Sequence, residues 1–271
     1  MSAPAEILVH ADAGPGSNRR IALAIEVAAQ FGATITGLGA EACDASLVAG
    51  DAMLLETLRE RTEVELSAAE AHFRSLTASR PNIGWIRDQG YPDKMLALHA
   101  RGADLIVTSR PQRGDSPIYV PKLPELLMRA GAPVLVAAEG SAAFSGRNVV
   151  VAWKDTRESR RAVTDALPFL KRAQKVVIVA IDGGEASSSV QSNDLVEIAQ
   201  KLARHDVSAC VEIAPKGAGT VTESIEDAAG RHGADLIVAG AYGRARLEEW
   251  WLGGVTEDLV MSSSKFVLLS H

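Results

Sequence analysis

The hexapeptide GADLIV occurs twice, at Gly102–Val107 and again at Gly233–Val238, 131 residues apart (102 to 233). One such run is an ordinary turn feeding an apolar strand. A second copy in the same chain points to a duplication, and the likeness extends outward from both. AEILVHADAGPGSNRRIALAIEVAAQFGATITGLGA opens the chain, and RNVVVAWKDTRESRRAVTDALPFLKRAQKVVIVAID follows its middle. Each reads as strand, polar turn, amphipathic helix with an Arg-Arg pair, then a second strand. APVLVAAE (Ala132–Glu139) and KFVLLSH (Lys265–His271) close the two halves. A period this long is too great for a solenoid repeat and describes a duplicated domain. EGSAAFSGR (Glu139–Arg147) is small and polar, the expected linker. The expected domains are 1–140 and 146–271.

Within the second half, short β-branched runs predict strands at Val149–Ala152, Val176–Ile181, Ala209–Ile213, Leu236–Ala239 and Phe266–Leu269. Helical patterns lie between them at Arg157–Arg172, Asp194–His205, Thr222–Arg231 and Val255–Met261. The first half repeats the order with a longer second helix, whose Leu55, Leu58, Leu66, Ala69, Phe73 and Leu76 share one face. Nearly continuous apolar strands alternating with helices imply a parallel sheet covered on both faces. The fold expected is α/β, two doubly wound five-strand parallel-sheet domains related by a pseudo-twofold. Ligands of such sheets bind beyond the carboxyl ends of the strands, where connectivity reverses.

Composition excludes several classes of function. Of 271 residues, 47% are hydrophobic and 23% charged, the balance of a globular chain. A net charge of −6 offers no general attraction to nucleic acid or an anionic membrane, and 4% aromatics leave little to stack on bases. No apolar run reaches the ~20 residues of a membrane helix, and MSAPAEILVHAD shows no export signal, so a cytoplasmic location is expected. Cys43 and Cys210 have the spacing of neither a metal site nor a disulfide framework. The histidines at 10, 72, 99, 205, 232 and 271 show no ligand spacing, so no metal site is assigned. No Ser/His/Asp order, activated cysteine or carboxylate pair marks a catalytic centre.

The chemistry is carried by GAYGRARLEEWWLGGVT (Gly240–Thr256) at the carboxyl end of a strand. Glycines ahead of a helix start leave backbone N–H groups free to hold phosphate, and they also serve as plain turn residues. Gly240, Gly243 and Gly253 follow the pattern glycine, two residues, glycine, nine residues, glycine. With Asp155 closing the first strand of the same half, in VAWKD, this spacing resembles the motif of the universal stress protein family, and the resemblance covers the chain as two copies. It implies an adenine-nucleotide-binding fold related to other adenine-nucleotide alpha-hydrolase-like domains. It further implies ATP, ADP or AMP held by the second half, with Mg²⁺ carried on the nucleotide's phosphates. By the same resemblance the nucleotide site comprises Trp153, Asp155, Ala180, Gly240, Gly243, Gly253, Gly254, Val255 and Thr256, with the Ala180 backbone against adenine. Pairing through the last strands is implied as well, between the two halves and between chains, with a protein partner whose identity is open.

Two departures are visible. Gly254 stands where the family often has Ser or Thr, leaving Thr256 as the nearest hydroxyl, and Glu248 and Glu249 oppose a triphosphate that Arg244 and Arg246 would attract. In the first half, RPQRGDSPIYVPKLPELL places prolines at 111, 117, 121 and 124, which remove N–H donors, so that loop is read as degenerate. Asp12 is the first-half counterpart expected for Asp155. GPGSN is a glycine turn with a Ser cap and lacks the Lys-Ser/Thr ending of a phosphate-binding P-loop. The pairs Arg19/Arg20 and Arg160/Arg161 are expected on solvated faces. Asp155 has a second role open to it as a helix cap. A stress-response binding protein is the leading reading, with at most slow ATP hydrolysis. A structural or interaction module without nucleotide is the alternative, and an adenylate-forming enzyme would need a signature that is absent.

Overall fold

The computed structural model describes residues 2–43, 51–110, 119–138, 143–182, 188–242 and 255–271. Strands and helices alternate throughout. The first half runs β1 (Glu6–His10), α1 (Pro15–Phe31), β2 (Thr34–Glu41), α2 (Ala52–Thr77), β3 (Ile83–Gln89), α3 (Pro92–His99), β4 (Leu105–Ser109), α4 (Leu123–Ala130) and β5 (Val134–Ala137). The second runs β6 (Asn148–Ala152), α5 (Arg157–Asp165), α6 (Leu167–Arg172), β7 (Lys175–Asp182), α7 (Ser188–Ala203), β8 (Ala209–Pro215), α8 (Val221–Arg231), β9 (Leu236–Gly240), α9 (Val255–Ser262) and β10 (Phe266–Ser270). The helix expected over Arg157–Arg172 is two helices. Pro168, in the first turn of α6, cannot donate to the preceding turn, so the first helix stops at Asp165.

The chain divides into two compact units, one of Pro4–Ala132 and one built on Pro133–His271. In the first, the strands lie in the order β3-β2-β1-β4, with β1 parallel to both neighbours. In the second the order is β5-β10-β9-β6-β7-β8, parallel except where β5 meets β10 antiparallel through Val267 opposite Val136. Five strands per half are expected from sequence. The compact unit of Pro133–His271 includes β5, which is hydrogen-bonded to β10. Both central strand sets are buried: Ile7, Val9, Ile106, Val107, Val150, Ile178, Ile237 and Val267 have no accessible surface. Edge strands β3 and β8 carry the more polar, partly exposed pattern.

The duplicated Gly-Ala-Asp has a structural cause. Asp104 Oδ2 accepts the backbone N–H groups of Ala5 (2.8 Å) and Glu6 (3.0 Å), where the chain enters β1. Asp235 Oδ2 does the same before β6, accepting from Ser145 N (2.8 Å), Ser145 Oγ (2.8 Å) and Gly146 N (2.9 Å). Each aspartate thus pins the entrance of its half's first strand. The expected linker is correspondingly not a free tether over its described part. Phe144 is buried against Phe266 and Phe169, with centroids 5.1 and 6.2 Å away.

Helix ends follow local chemistry. Thr220 and Glu223 form a reciprocal capping box on α8. Asp51 caps α2 by accepting from Met53 N (3.0 Å) and Leu54 N (3.2 Å). The buried face of α2 is Thr62, Leu66, Ala69, Phe73 and Thr77. Leu76, expected on that face, is exposed, while Leu55 and Leu58 are half-buried. None of the described helices is long and apolar enough to cross a membrane.

Candidate functional site

In the second unit, β6 and β9 are parallel neighbours with Ala152 opposite Ala239, so they end side by side. Beyond β6 the backbone N–H of Trp153 donates to Val179 O (2.8 Å), which keeps the chain along β7 before it turns. The Trp153 side chain is buried, and its indole Nε1 has no hydrogen-bond partner among the described residues. A buried donor without an acceptor is costly and asks for one. Ala180, two residues before β7 ends, is also buried.

Asp155 lies three residues beyond β6 with its carboxylate 46% exposed, accepting from Arg160 Nε (2.9 Å). It is not the helix cap: Thr156 is, accepting from Ser159 N (3.2 Å). That leaves the carboxylate facing solvent and one arginine.

Gly240, the last residue of β9, has a packing reason to lack a side chain. A Cβ there would lie 2.4 Å from Ser159 N and 2.6 Å from Glu158 C, both backbone atoms of the first turn of α5. The glycine therefore lets α5 seat directly on the strand end, a contact the sequence reading did not foresee. Val255 and Thr256 open α9. Gly243, Gly253 and Gly254 lie outside the described residues, as do Arg244, Arg246, Glu248, Glu249, Trp250 and Trp251. Of the expected site, the structure brings Trp153, Asp155 and Gly240 to one edge of the sheet, with Ala180 on the adjacent strand.

The corresponding edge of the first unit is arranged differently. Arg20, expected on a solvated face, is only 2% exposed. Its guanidinium folds back over the ends of β1 and β4. Nε donates to His10 O (2.9 Å), Nη1 to Ser109 Oγ (2.8 Å) and Nη2 to Asp12 Oδ2. Asp12 Oδ1 accepts from Gly14 N (2.8 Å), a local Asx turn that forms the entry to α1. The expected Ser cap is absent: Gly14 is the N-cap, and the buried Ser17 hydroxyl accepts from Asp12 N (3.1 Å). Asp12 lies two residues past its strand and Asp155 three, so in register Asp12 answers to Lys154.

His10 ends β1 with no accessible surface and neither ring nitrogen hydrogen-bonded; Nδ1 stands 3.9 Å from Asp12 Oδ2. Burial pushes its pKa down to about 3, aided by the Arg20 guanidinium and opposed by Asp12. The ring is therefore neutral at pH 7.

A separate cleft of about 340 Å³ opens between the first two turns of α8 and the start of α9, lined by Thr220, Thr222, Glu223, Glu226, Asp227 and Asp258. Four carboxylates make it hostile to phosphate. Glu226 is already engaged, accepting from the Ser263 hydroxyl and from Ser264 Oγ (3.1 Å).

These features fit what comparison finds. Residues 146–271 match the universal stress protein family. The matched stretch is the half that carries Trp153, Asp155, Ala180 and the glycine motif. Over nearly the whole chain, the fold is that of solved universal stress proteins. A universal stress protein from Archaeoglobus fulgidus DSM 4304 superposes with a TM-score of 0.75 at 16% identity, covering 99% of this chain and 96% of that one. A functionally unknown protein from Pseudomonas aeruginosa PAO1 gives 0.62 at 17% identity, covering 99% and 92%. At such identities the likeness is one of fold. No curated protein sequence matches the chain.

Proposed function

We propose that the chain is a tandem universal stress protein whose second half binds one adenine nucleotide, ATP or its ADP and AMP products, at the carboxyl ends of β6 and β9. The observation that carries this reading is the indole N–H of Trp153, buried at that edge without an acceptor. Adenine ring nitrogens and ribose oxygens are acceptors of the kind it lacks. Asp155 supports the reading, since its exposed carboxylate can accept from ribose hydroxyls. Gly243, Gly253, Gly254, Val255 and Thr256 would supply backbone N–H groups and a hydroxyl to the phosphates at the start of α9. Mg²⁺ would travel on the phosphates. The described residues contain no group of three or more His, Cys, Asp or Glu side chains placed to hold an ion.

The role is that of a cytoplasmic stress-response binding protein, in which occupancy alters contacts with a protein partner, with pairing within the chain and between chains. Hydrolysis, where it occurs, is slow and incidental. The alternative, an interaction module of the same fold without nucleotide, is favoured by one observation. The packing of α5 accounts for Gly240 without any ligand.

Gly243→Val separates the two readings. A valine there fills the phosphate space, so ATP binding by calorimetry should be lost with the circular dichroism spectrum intact. Unchanged affinity overturns the site assignment. Mass spectrometry of small molecules released from gently purified protein gives the second arm: near-stoichiometric ATP, ADP or AMP supports nucleotide binding, and its absence together with no ATP binding overturns it.

A further inference from the structure

In the first half, an arginine occupies the place beyond the ends of β1 and β4. Arg20 spans both strands at the point where connectivity reverses, bonding the end of β1 through the His10 carbonyl, the end of β4 through Ser109 Oγ, and the turn through Asp12 Oδ2. A carboxylate, a carbonyl and a hydroxyl facing one planar group make a guanidinium receptor, since the fork of donors matches several acceptors at once. Charge agrees. His10 is held neutral beside this arginine, so the resident cation is the guanidinium and not the imidazole. The helix is shaped to admit it too. A Cβ at Gly16 would stand 3.3 Å from Arg20 Nη1, tighter than most side chains tolerate.

We infer that Arg20 is a built-in ligand that closes the first-half crevice to molecules from outside, and that the lining it occupies selects a guanidinium or amidinium cation. This makes the two halves opposite in kind. The first carries its occupant covalently, as part of α1, and the second is left to take one from solution. The proline-rich loop is then a secondary reason for the first half's silence. Even a glycine-rich loop there would face a crevice with an arginine in it and a carboxylate behind it.

The receptor is revealed by removing its occupant. Arg20→Ala in the full chain should lower the melting temperature by several degrees, because Asp12 and the His10 carbonyl lose a buried partner. Guanidinium chloride in the tens of millimolar should raise the melting temperature of this variant, by mass action on the folded state, while lowering that of the parent. Equal concentrations of sodium chloride and urea should raise neither. Arg20→Ala combined with Asp12→Asn should lose the rescue. If guanidinium lowers the variant and the parent alike, the inference is overturned. Should Arg20→Ala not fold, Arg20→Lys decides the matter, because an ammonium cannot satisfy the same fork. It should melt measurably below the parent, and a melting temperature equal to the parent's overturns the inference. No nucleotide enters either readout, so the outcome is independent of the site proposed in the second half.

Discussion

The ends of β4 and β9 carry the same six-residue lead and differ in their last two residues, Thr108-Ser109 in one and Ala239-Gly240 in the other; the final pair, Ser109 and Gly240, makes the contacts that follow. That difference sorts the two halves. In the first, the serine hydroxyl receives Arg20, and a side chain lies between strand end and helix. In the second, the glycine receives the backbone of α5 itself, with no room for a Cβ. On similar strand-and-helix scaffolds, the space above the strand end holds an arginine in one half and a helix turn in the other.

The largest way to break this comparison is to add a side chain where the helix sits. Gly240→Ser places a Cβ within 2.4 Å of Ser159 N and 2.6 Å of Glu158 C, both backbone atoms. Backbone cannot rotate aside as a side chain can, so α5 must shift bodily. A cost of roughly 3 kcal/mol or more is expected, at the upper end of overpacking. Urea unfolding of the variant measures it. A cost under about 1 kcal/mol would show that α5 is not seated on β9 as described.

A second effect comes from pH and belongs mainly to the first half. His10 has an ordinary pKa of 6.5 in the unfolded chain and about 3 when folded. Between those values the unfolded chain binds a proton that the folded chain refuses, so stability falls as pH drops from 6.5 towards 3. The loss is about 5 kcal/mol at most. Glu41 works the other way. Burial raises its carboxyl from 4.5 to about 7, with Glu65 adding to the rise and Arg61 opposing it, so its share of stability is lost as pH rises through that window. The second half has neither group. Its Glu212 is shifted down by the hydrogen bond from His232, and so weakens only as pH falls through the acid range. Melting curves across pH 4 to 8 should therefore show a shallower acid limb for His10→Phe than for the parent. Coincident limbs would remove His10 from the account.

Much of this fold was legible in the sequence, because nearly continuous β-branched runs have few alternatives to buried strands. The second-half strands fall within two residues of their expected ends. The repeated GADLIV marked two equivalent positions, whose aspartates anchor strand entries. Three things were not legible. The resemblance implied that the last strands pair, but not the antiparallel sense in which β5 meets β10, on which the apolar pattern is silent. Arg20 is buried, although arginine near a helix start ordinarily points to solvent, and only the simultaneous approach of His10 O, Asp12 and Ser109 makes burial affordable. Asp155 does not cap its helix, because Thr156, one residue on, has the extended geometry that a cap needs. Each miss depends on contacts made across the fold, and local residue preference cannot reach those.

The smallest prediction sharpens the comparison from its other side. Ser109→Gly gives the first half the strand-end residue of the second. If the serine were only a spacer, the change would cost no more than the flexibility glycine adds to the unfolded chain, roughly 0.5–1 kcal/mol. The structure gives it a further role as acceptor for Arg20 Nη1 at 2.8 Å. Removing that acceptor takes one hydrogen bond from the buried guanidinium, which adds about 1 kcal/mol. Ser109→Ala separates the two contributions, since it removes the hydroxyl and keeps the Cβ. The expected order of urea midpoints is parent, then Ser109→Ala, then Ser109→Gly. In the Arg20→Ala background the hydroxyl has nothing left to accept from that side chain, so Ser109→Ala should there be close to neutral. A coupling near zero between the two positions would mean that the hydroxyl does not hold the arginine. The difference between the halves would then reduce to the space that Gly240 leaves for α5.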